Sequence, residues 1–175
     1  MGKILILYST IDGQTKKICQ KIQSVAEQHD HEVKLVSIDD TFLEDFGGFD
    51  KIVIGASIRY GKYNKKVFDF VARNENLLED KVSAFFSVNV VARKPGKNEP
   101  GNNPYLIKFL ERVSWMPDEV AVFAGKIDYQ KYDFLDRLVI RLIMYITKGP
   151  TDSKTVADFT NWEQVEEFGR VVSEM

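Results

Sequence analysis

The stretch YSTIDGQTKK, residues 8–17, decides the fold of this 175-residue chain, because it joins an apolar run to a segment with helical periodicity. The run that ends in it, residues 3–8, predicts a buried strand, and the spacing of apolar residues from Thr15 to Gln28 predicts a helix. A strand that passes directly into a helix is the opening unit of an α/β fold.

The loop itself suggests an anion site. The first N–H groups of a helix have no partner inside the helix, and they can bind a phosphate. Ser9, Thr10 and Thr15 would add hydroxyl donors, and Gly13 would let the backbone approach the ligand closely. A plain turn in which Asp12 or Thr15 caps the helix explains the same residues without a ligand.

The rest of the chain repeats the alternation of strand and helix. Short apolar runs predict four more strands, at residues 32–38, 51–54, 82–89 and 119–124. Helical patterns lie at residues 65–74, 103–114 and 161–173. The runs are nearly continuous, as in strands that helices cover on both faces. We therefore expect one doubly wound α/β domain over residues 1–175, with a five-stranded parallel sheet in the order 2-1-3-4-5.

An insertion of about residues 125–151 interrupts this alternation after the fifth strand. Its middle, FLDRLVIRLIMYIT at residues 134–147, carries Arg137 and Arg141 on one narrow polar stripe and is apolar over the wide remaining arc of the helix. At 1.5 Å per residue it would be about 21 Å long, which is too short to span a bilayer. Such a helix would cover the domain's own apolar surface, lie on a membrane, or do both.

Composition excludes several classes of protein. A net charge of −2 and a pI near 5.8 argue against a protein that coats nucleic acid. The single Cys19 allows no intrachain disulfide, and the two histidines, His29 and His31, offer no set of metal ligands. The start of the chain lacks the apolar core of a secretory signal, so we expect a cytoplasmic protein.

The residue spacing in the first loop limits the classes of ligand that it could bind. In doubly wound sheets ligands bind at the carboxyl ends of the strands, beside the point where the strand order reverses. The loop has neither the lysine of a Walker motif nor the repeated glycines of a dinucleotide fingerprint. A mononucleotide phosphate therefore fits it better.

Several motifs resemble known families. TIDGQT, residues 10–15, resembles the phosphate loop of flavodoxins, which bind flavin mononucleotide (FMN). Five motifs taken together resemble the oxygen-independent, quinone-linked protoporphyrinogen dehydrogenases, a flavodoxin-fold family, over nearly the entire chain. The motifs are YSTIDGQT, IGASIRYGKY, FFSVNVVARKP, YDFLDRLVIRLIMYITKGPTD and FTNWEQVEEFGR. Asp12 departs from the flavodoxin pattern, which usually has Thr there. Because a carboxylate facing the phosphate would repel it, we expect the Asp12 side chain to turn toward the helix N–H groups.

The resemblance implies a set of flavin-binding residues on the loops after strands one, three and four. They are Ser9, Thr10, Ile11, Asp12, Gly13, Gln14, Thr15, Ser57, Ile58, Arg59, Tyr60, Gly61, Ser87, Val88, Asn89, Val90 and Arg93. Tyr60 or Tyr63 would stack on the flavin, although either tyrosine could instead pack against a neighbouring loop.

Positive charge is concentrated where the flavin is expected. Residues 91–112 carry a net charge of +3 and residues 125–150 a net charge of +2, which leaves −7 for the remainder. Our hypothesis is that Arg93 stabilises the anionic reduced flavin. Arg59, Arg93 and Lys94 are candidates for contacts with substrate carboxylates.

The resemblance also implies a function. Bound FMN would oxidise protoporphyrinogen IX, or a related tetrapyrrole of heme biosynthesis, and a membrane quinone would reoxidise the flavin, with no catalytic side chain and no metal. Quinones lie in lipid, so we expect peripheral contact with an anionic membrane, on the inner face of the cell membrane. Two alternatives stay open: a soluble flavodoxin-type carrier of single electrons, and an FMN-dependent NAD(P)H:quinone reductase.

Overall fold

The computed structural model describes residues 1–43 and 46–175 of the chain. Its strands are β1 (Lys3–Ser9), β2 (Glu32–Ser37), β3 (Lys51–Arg59), β4 (Lys62–Tyr63), β5 (Val82–Asn89), β6 (Glu119–Ala124), β7 (Lys126–Asp128) and β8 (Val156–Asp158). Its helices are α1 (Gln14–Gln28), α2 (Lys65–Arg73), α3 (Glu75–Asp80), α4 (Pro104–Arg112), α5 (Phe134–Ile146) and α6 (Trp162–Glu174).

The main sheet has the predicted topology. Its parallel strands follow the order β2-β1-β3-β5-β6, and the short β4 pairs antiparallel with the end of β3. Since β4 was not predicted, the fourth and fifth predicted strands are β5 and β6. The expected doubly wound order 2-1-3-4-5 is therefore confirmed.

Helices cover both faces of the sheet because the strands are apolar on both faces. On β1, Leu5 and Leu7 pack with α2, α3 and α4, whereas Ile4 and Ile6 pack with α1 and α6. On β3, Gly55 leaves room for the ring of Phe86, since a Cβ atom at residue 55 would lie 2.2 Å from Phe86 Cζ. The hydrophobic core therefore forms two separate layers, one on each face of the sheet. The carboxyl ends of the strands lie at the edge between these two layers.

Strand β3 is longer than predicted. The sequence signal ended at Ile54, because the next residues are Gly, Ala and Ser, which favour strands weakly. Pairing with β5 carries the strand past them, and a two-residue turn then reverses the chain into β4. Tyr60 and Gly61 in that turn have φ angles of 50° and 75°, as in a type I′ hairpin turn. Residues 57–59, expected on a loop, therefore lie on a strand.

The insertion after the fifth parallel strand contains the predicted helix, α5. It also contains two strands that were not predicted, β7 and β8, which pair antiparallel and bracket the helix. Each has three residues, which is too short for an alternating pattern to be recognised. The insertion therefore ends at Asp158 rather than near residue 151.

Helix ends differ from the predictions by one or two residues. Asn103 and Asn161, placed inside helices from the sequence, cap α4 and α6 by accepting hydrogen bonds from first-turn N–H groups. The six-residue α3 was not predicted. None of the helices in the described residues is both long and apolar enough to cross a bilayer.

Candidate functional site

A cavity lies where β1, β3 and β5 end, and we call it the central cavity. Thirteen of the expected flavin-binding residues line it: Thr10, Ile11, Asp12, Gln14, Thr15, Ser57, Ile58, Arg59, Tyr60, Gly61, Val88, Asn89 and Val90. The others do not reach the lining; they are Ser9, Gly13, Ser87 and Arg93. The carboxyl ends of the three strands thus bring together residues that are far apart in the chain.

The loop between β1 and α1 leaves the start of the helix uncapped. Gly13 has a φ angle of 88° and takes the N-cap position, and no side chain in the described part of the chain hydrogen-bonds to the first-turn N–H groups. The Gly13 N–H itself donates to Thr10 Oγ1 at 3.1 Å. The alternative of a plain turn capped by Asp12 or Thr15 therefore does not hold, and the amides stay available to an anion.

Thr15 gives an independent sign of a ligand. Its Oγ1 atom is buried and has no hydrogen-bond partner among the described residues. A buried hydroxyl without a partner costs free energy, and the cost is removed if a phosphate oxygen accepts its hydrogen bond. The uncapped amides and this hydroxyl together fit the phosphate of a mononucleotide cofactor.

Asp12 does not turn toward the helix amides, and that prediction is wrong. Its carboxylate pairs with the guanidinium of Arg59, with Nη1–Oδ2 at 2.9 Å and Nη2–Oδ1 at 3.4 Å. Arg59 Nη2 also donates to Asp136 Oδ2 at 2.8 Å. An arginine attracts the carboxylate more strongly than neutral amides do, which keeps the negative charge directed away from the phosphate loop.

Two residues of the loop serve as supports. The Gln14 side chain donates to Thr160 Oγ1 at 2.8 Å and to Asp158 Oδ1 at 3.1 Å, which ties the start of α1 to the end of the insertion. Ser9 is buried at the end of β1, where its carbonyl accepts a hydrogen bond from Ser57. These bonds hold the first loop against its neighbours.

Of the two tyrosines considered for stacking, only Tyr60 lines the central cavity. It lies in the β3–β4 turn with 47% of its surface exposed. Tyr63 is buried, and its hydroxyl donates to Ser87 Oγ at 2.6 Å. The Tyr63 ring also packs edge-on against Phe85 and Phe109. Tyr63 and Ser87 therefore belong to the core beneath the cavity.

The structure does not bring Arg93 or Lys94 to the central cavity. Arg93 donates to the carbonyl of Val90 at 2.9 Å, to the carbonyl of Thr147 at 2.9 Å and to Thr147 Oγ1 at 3.0 Å. Its guanidinium thereby satisfies a carbonyl at the end of α5, where the helix dipole also favours a cation. Arg93 and Lys94 border a separate cleft beside Phe159.

The insertion supplies a wall of the cavity that sequence reasoning missed. The additional lining residues are Val91, Tyr105, Gly125, Lys126, Ile127, Tyr132, Ile140, Ile143, Met144 and Thr147. Three of them, Ile140, Ile143 and Met144, lie on one face of α5 at helical spacing, and Thr147 caps its end. That spacing was visible in the sequence, but it could not show which face of α5 would meet the sheet.

The cavity offers little acid–base chemistry. No His or Cys is among its lining residues in the described part of the chain, and those residues contain no cluster that could hold a metal ion. Burial raises the pKa of the Tyr132 phenol above its usual value of 10.0, which makes this phenol a still weaker acid. The site is thus suited to binding and positioning a cofactor that performs the reaction itself.

Comparison with known proteins shows which family the chain belongs to. A family model described as a flavodoxin domain matches residues 5–154. The Escherichia coli K12 protein named protoporphyrinogen IX dehydrogenase [quinone] is 40% identical over 173 residues, which cover 99% of this chain and 96% of that protein. A Leishmania major protein of the same name is 41% identical, over 95% of this chain and 72% of its own length.

Solved structures agree on the fold. The two-electron reduced flavodoxin of Megasphaera elsdenii has a TM-score of 0.58 at 14% identity, covering 98% of this chain and 99% of its own. Flavodoxin 2 of Bacillus cereus has a TM-score of 0.55 at 20% identity, covering 98% of each chain. The chain belongs to the flavodoxin-domain family and, within it, to the family of the quinone-linked protoporphyrinogen IX dehydrogenases.

Proposed function

We propose that this protein uses FMN to oxidise protoporphyrinogen IX to protoporphyrin IX, with a membrane quinone as the electron acceptor. The observation that carries the proposal is the central cavity, which runs from uncapped helix amides to an apolar wall built by the insertion. Near full-length identity of 40% with proteins named for this activity supports it.

FMN is the form of flavin that the loop favours. The uncapped start of α1 and the buried Thr15 hydroxyl suit one phosphate group. The loop carries no repeated glycines for a second phosphate. FMN bound there would supply two-electron redox chemistry: it could take a hydride from the macrocycle, whose second hydrogen leaves as a proton, and the quinone would take up the two electrons with two protons.

The chain's own residues position the reactants and exclude water. The hairpin at residues 57–61 offers backbone amides and the ring of Tyr60 at one side of the cavity. Ile140, Ile143 and Met144 form the opposite, apolar side. Such a low-dielectric wall suits a broad apolar macrocycle and limits reaction with solvent. Arg59 is held by Asp12 and Asp136, so it supports the wall of the cavity and is not free to bind a substrate carboxylate.

The outer face of α5 is proposed as the membrane contact. Its large side chains are strongly exposed; Phe134, Leu135, Leu138, Leu142, Tyr145 and Ile146 each show 58–78% of their surface. The opposite face of the same helix lines the central cavity. A helix that lies in the lipid surface with this orientation would place the flavin next to a lipid-dissolved quinone on the cytoplasmic face.

The two alternatives are not favoured. Similarity to electron-carrying flavodoxins lies at 14–20% identity and shows the fold alone. An NAD(P)H:quinone reductase needs a site for a second nucleotide, and the sequence carries no glycine-rich dinucleotide fingerprint. Reduction of the flavin by NADPH within seconds would favour that alternative.

The experiment is an anaerobic assay. FMN-loaded protein is mixed with protoporphyrinogen IX and the water-soluble quinone menadione, and the appearance of porphyrin fluorescence is followed. We expect fluorescence to rise only when protein, FMN and quinone are all present. Fluorescence that does not exceed the rate without protein would contradict the proposed function.

A further inference from the structure

A second depression, which we call the basic groove, lies between the β3–β4 hairpin, α2 and α4. It has a volume of about 440 Å³, within the range of small-molecule sites. Neither Arg93 nor Lys94 belongs to it.

The floor of the basic groove is aromatic. Phe68, Tyr105 and Phe109 line it, and the rings of Phe68 and Phe109 lie 5.3 Å apart. The guanidinium carbon of Arg112 lies 4.2 Å from the centre of the Phe68 ring, a cation–π contact that leaves the N–H groups of the guanidinium free to donate. A flat, apolar ligand would find contact area on this floor.

The rim of the basic groove is cationic. Lys62, Lys108 and Arg112 are exposed, and none of them forms an ion pair with any described residue. Lys65 also lines the groove, but its ammonium group pairs with Asp69 at 2.7 Å. No Asp or Glu is among the lining residues. Three unneutralised cations beside an aromatic floor are suited to an anionic ligand with an apolar body.

The groove adjoins the central cavity. Ile58, Gly61 and Tyr105 line both, so that the hairpin and one aromatic ring are the only boundary between them among the described residues. A ligand that extends beyond the flavin could therefore lie in both.

We infer that the basic groove binds the carboxylate-bearing edge of the tetrapyrrole, with Lys62, Lys108 and Arg112 as the carboxylate contacts. This inference rests on the proposed function. Protoporphyrinogen IX carries two propionate groups on one edge of an otherwise apolar macrocycle, which matches a cationic rim above an aromatic floor. The arginines first considered for this role, Arg59 and Arg93, are already bonded within the protein.

The test measures binding of the product, protoporphyrin IX, to FMN-loaded protein by its fluorescence, with protoporphyrin IX dimethyl ester as the uncharged comparison. The Lys62→Met/Lys108→Met variant should bind the dicarboxylate at least roughly tenfold more weakly, because charge-assisted hydrogen bonds are lost. Its affinity for the ester and its FMN content should not change. Steady-state KM for protoporphyrinogen IX should rise by a similar factor, with kcat within about twofold.

An Arg73→Met/Lys154→Met variant is the matched control, since it removes two exposed cations outside both sites. It should behave as the wild type. Equal affinity of the wild type for dicarboxylate and ester, or unchanged binding and KM in the Lys62→Met/Lys108→Met variant, would overturn the inference. Either result leaves the proposed function standing if the wild type oxidises protoporphyrinogen IX, whereas an inactive wild type contradicts the proposed function itself.

Discussion

At the scale of single residues, Thr15 depends most on a ligand. The fold buries its hydroxyl at the start of α1 and gives it no partner. Natural proteins rarely leave such a group unsatisfied, so the atom indicates where a bound group belongs. The surrounding residues are satisfied within the protein: Gln14 by Thr160, and Asp12 by Arg59.

Replacing Thr15 with Val should therefore weaken FMN binding without lowering the stability of the flavin-free protein. We expect FMN to bind about tenfold more weakly, since one hydrogen bond to a charged group contributes about 1.5 kcal/mol. The flavin-free variant should unfold at the same temperature as the wild type or higher, because an unpaired buried hydroxyl is removed. Fluorescence titration and thermal unfolding measure the two effects. Ser24→Ala, at an exposed hydroxyl of the same helix, is the control. A lower unfolding temperature with unchanged FMN affinity would contradict the role given to Thr15.

Lys51 is a buried cation that joins β3 to the last helix. Its Nζ donates to the carbonyls of Val172 at 3.0 Å and Ser173 at 2.7 Å. Burial lowers its pKa from the usual 10.5, and the nearby Asp50 opposes the shift only in part. A depressed pKa contributes stability that is fully present above 10.5 and is lost as the pH falls through the lower folded pKa.

Consequently, the unfolding free energy of the wild type, taken relative to Lys51→Met, should increase as the pH rises from about 7 toward 10.5. Urea unfolding of both proteins at several pH values measures this difference. The constant loss of two hydrogen bonds in the variant does not affect the trend. A difference that stays flat or falls with pH would show that burial does not disfavour the charged amine.

At the scale of elements, the insertion is fixed to the parallel fold at both ends of α5. Arg59 binds Asp136 in the first turn of the helix, and Arg93 binds Thr147 just beyond its last turn. Arg137 bonds to the carbonyls of Tyr129 and Tyr132, which folds the preceding turn against the helix. Arg137 is therefore not available for the membrane contact considered from the sequence, in contrast to Arg141.

Removing Arg59 should loosen the start of α5. In Arg59→Met, Asp12 and Asp136 lose their partner, and we expect the segment at residues 129–158 to be cleaved several-fold faster by trypsin or chymotrypsin. The ion pairs are only partly buried, so the loss in global stability should be about 1 kcal/mol or less. Arg170→Met breaks exposed ion pairs on α6 and serves as the control. Cleavage at the rate of the control would contradict a role for Arg59 in holding the insertion.

The parallel strands, α1 and α5 could be predicted because the apolar pattern that indicates each of them lies within its own residues. β4, β7 and β8 could not, since two or three residues give no periodicity. The loop at residues 10–15 is likewise a local pattern, and residues of it line the central cavity; its role in binding a phosphate stays a prediction. The partners of Arg59 lie 47 and 77 residues away, and Thr147 lies 54 residues from Arg93. Such long-range bonds decide which cations face a ligand, and no local pattern records them.

At the scale of the whole molecule, the chain separates an acidic body from two basic segments. Residues 91–112 include the cations of α4 that border the basic groove, and residues 125–150 include α5. The exposed apolar face of α5 is flanked by Arg141 and Lys148, both exposed. A molecule of this kind is expected to approach an anionic membrane with the insertion facing the lipid.

Flotation with vesicles containing anionic lipid tests this orientation. The wild type should float with the vesicles at low salt and less so as salt is added. Arg141→Glu/Lys148→Glu should bind at least about tenfold more weakly, because each basic residue near the surface contributes about 1 kcal/mol. Arg73→Glu/Arg170→Glu reverses two exposed charges outside the insertion and should float as the wild type does. Equal flotation of all three proteins would contradict the electrostatic contact.

The central claim is that a phosphate-bearing flavin is held by the uncapped amides where β1 passes into α1. The most direct measurement is a fluorescence titration of the flavin-free wild type with FMN and, in parallel, with riboflavin, which lacks the phosphate. We predict that the protein turns yellow with one FMN per chain and binds riboflavin at least about a hundredfold more weakly. Equal affinity for the two flavins, or no uptake of FMN by the folded protein, would contradict the claim.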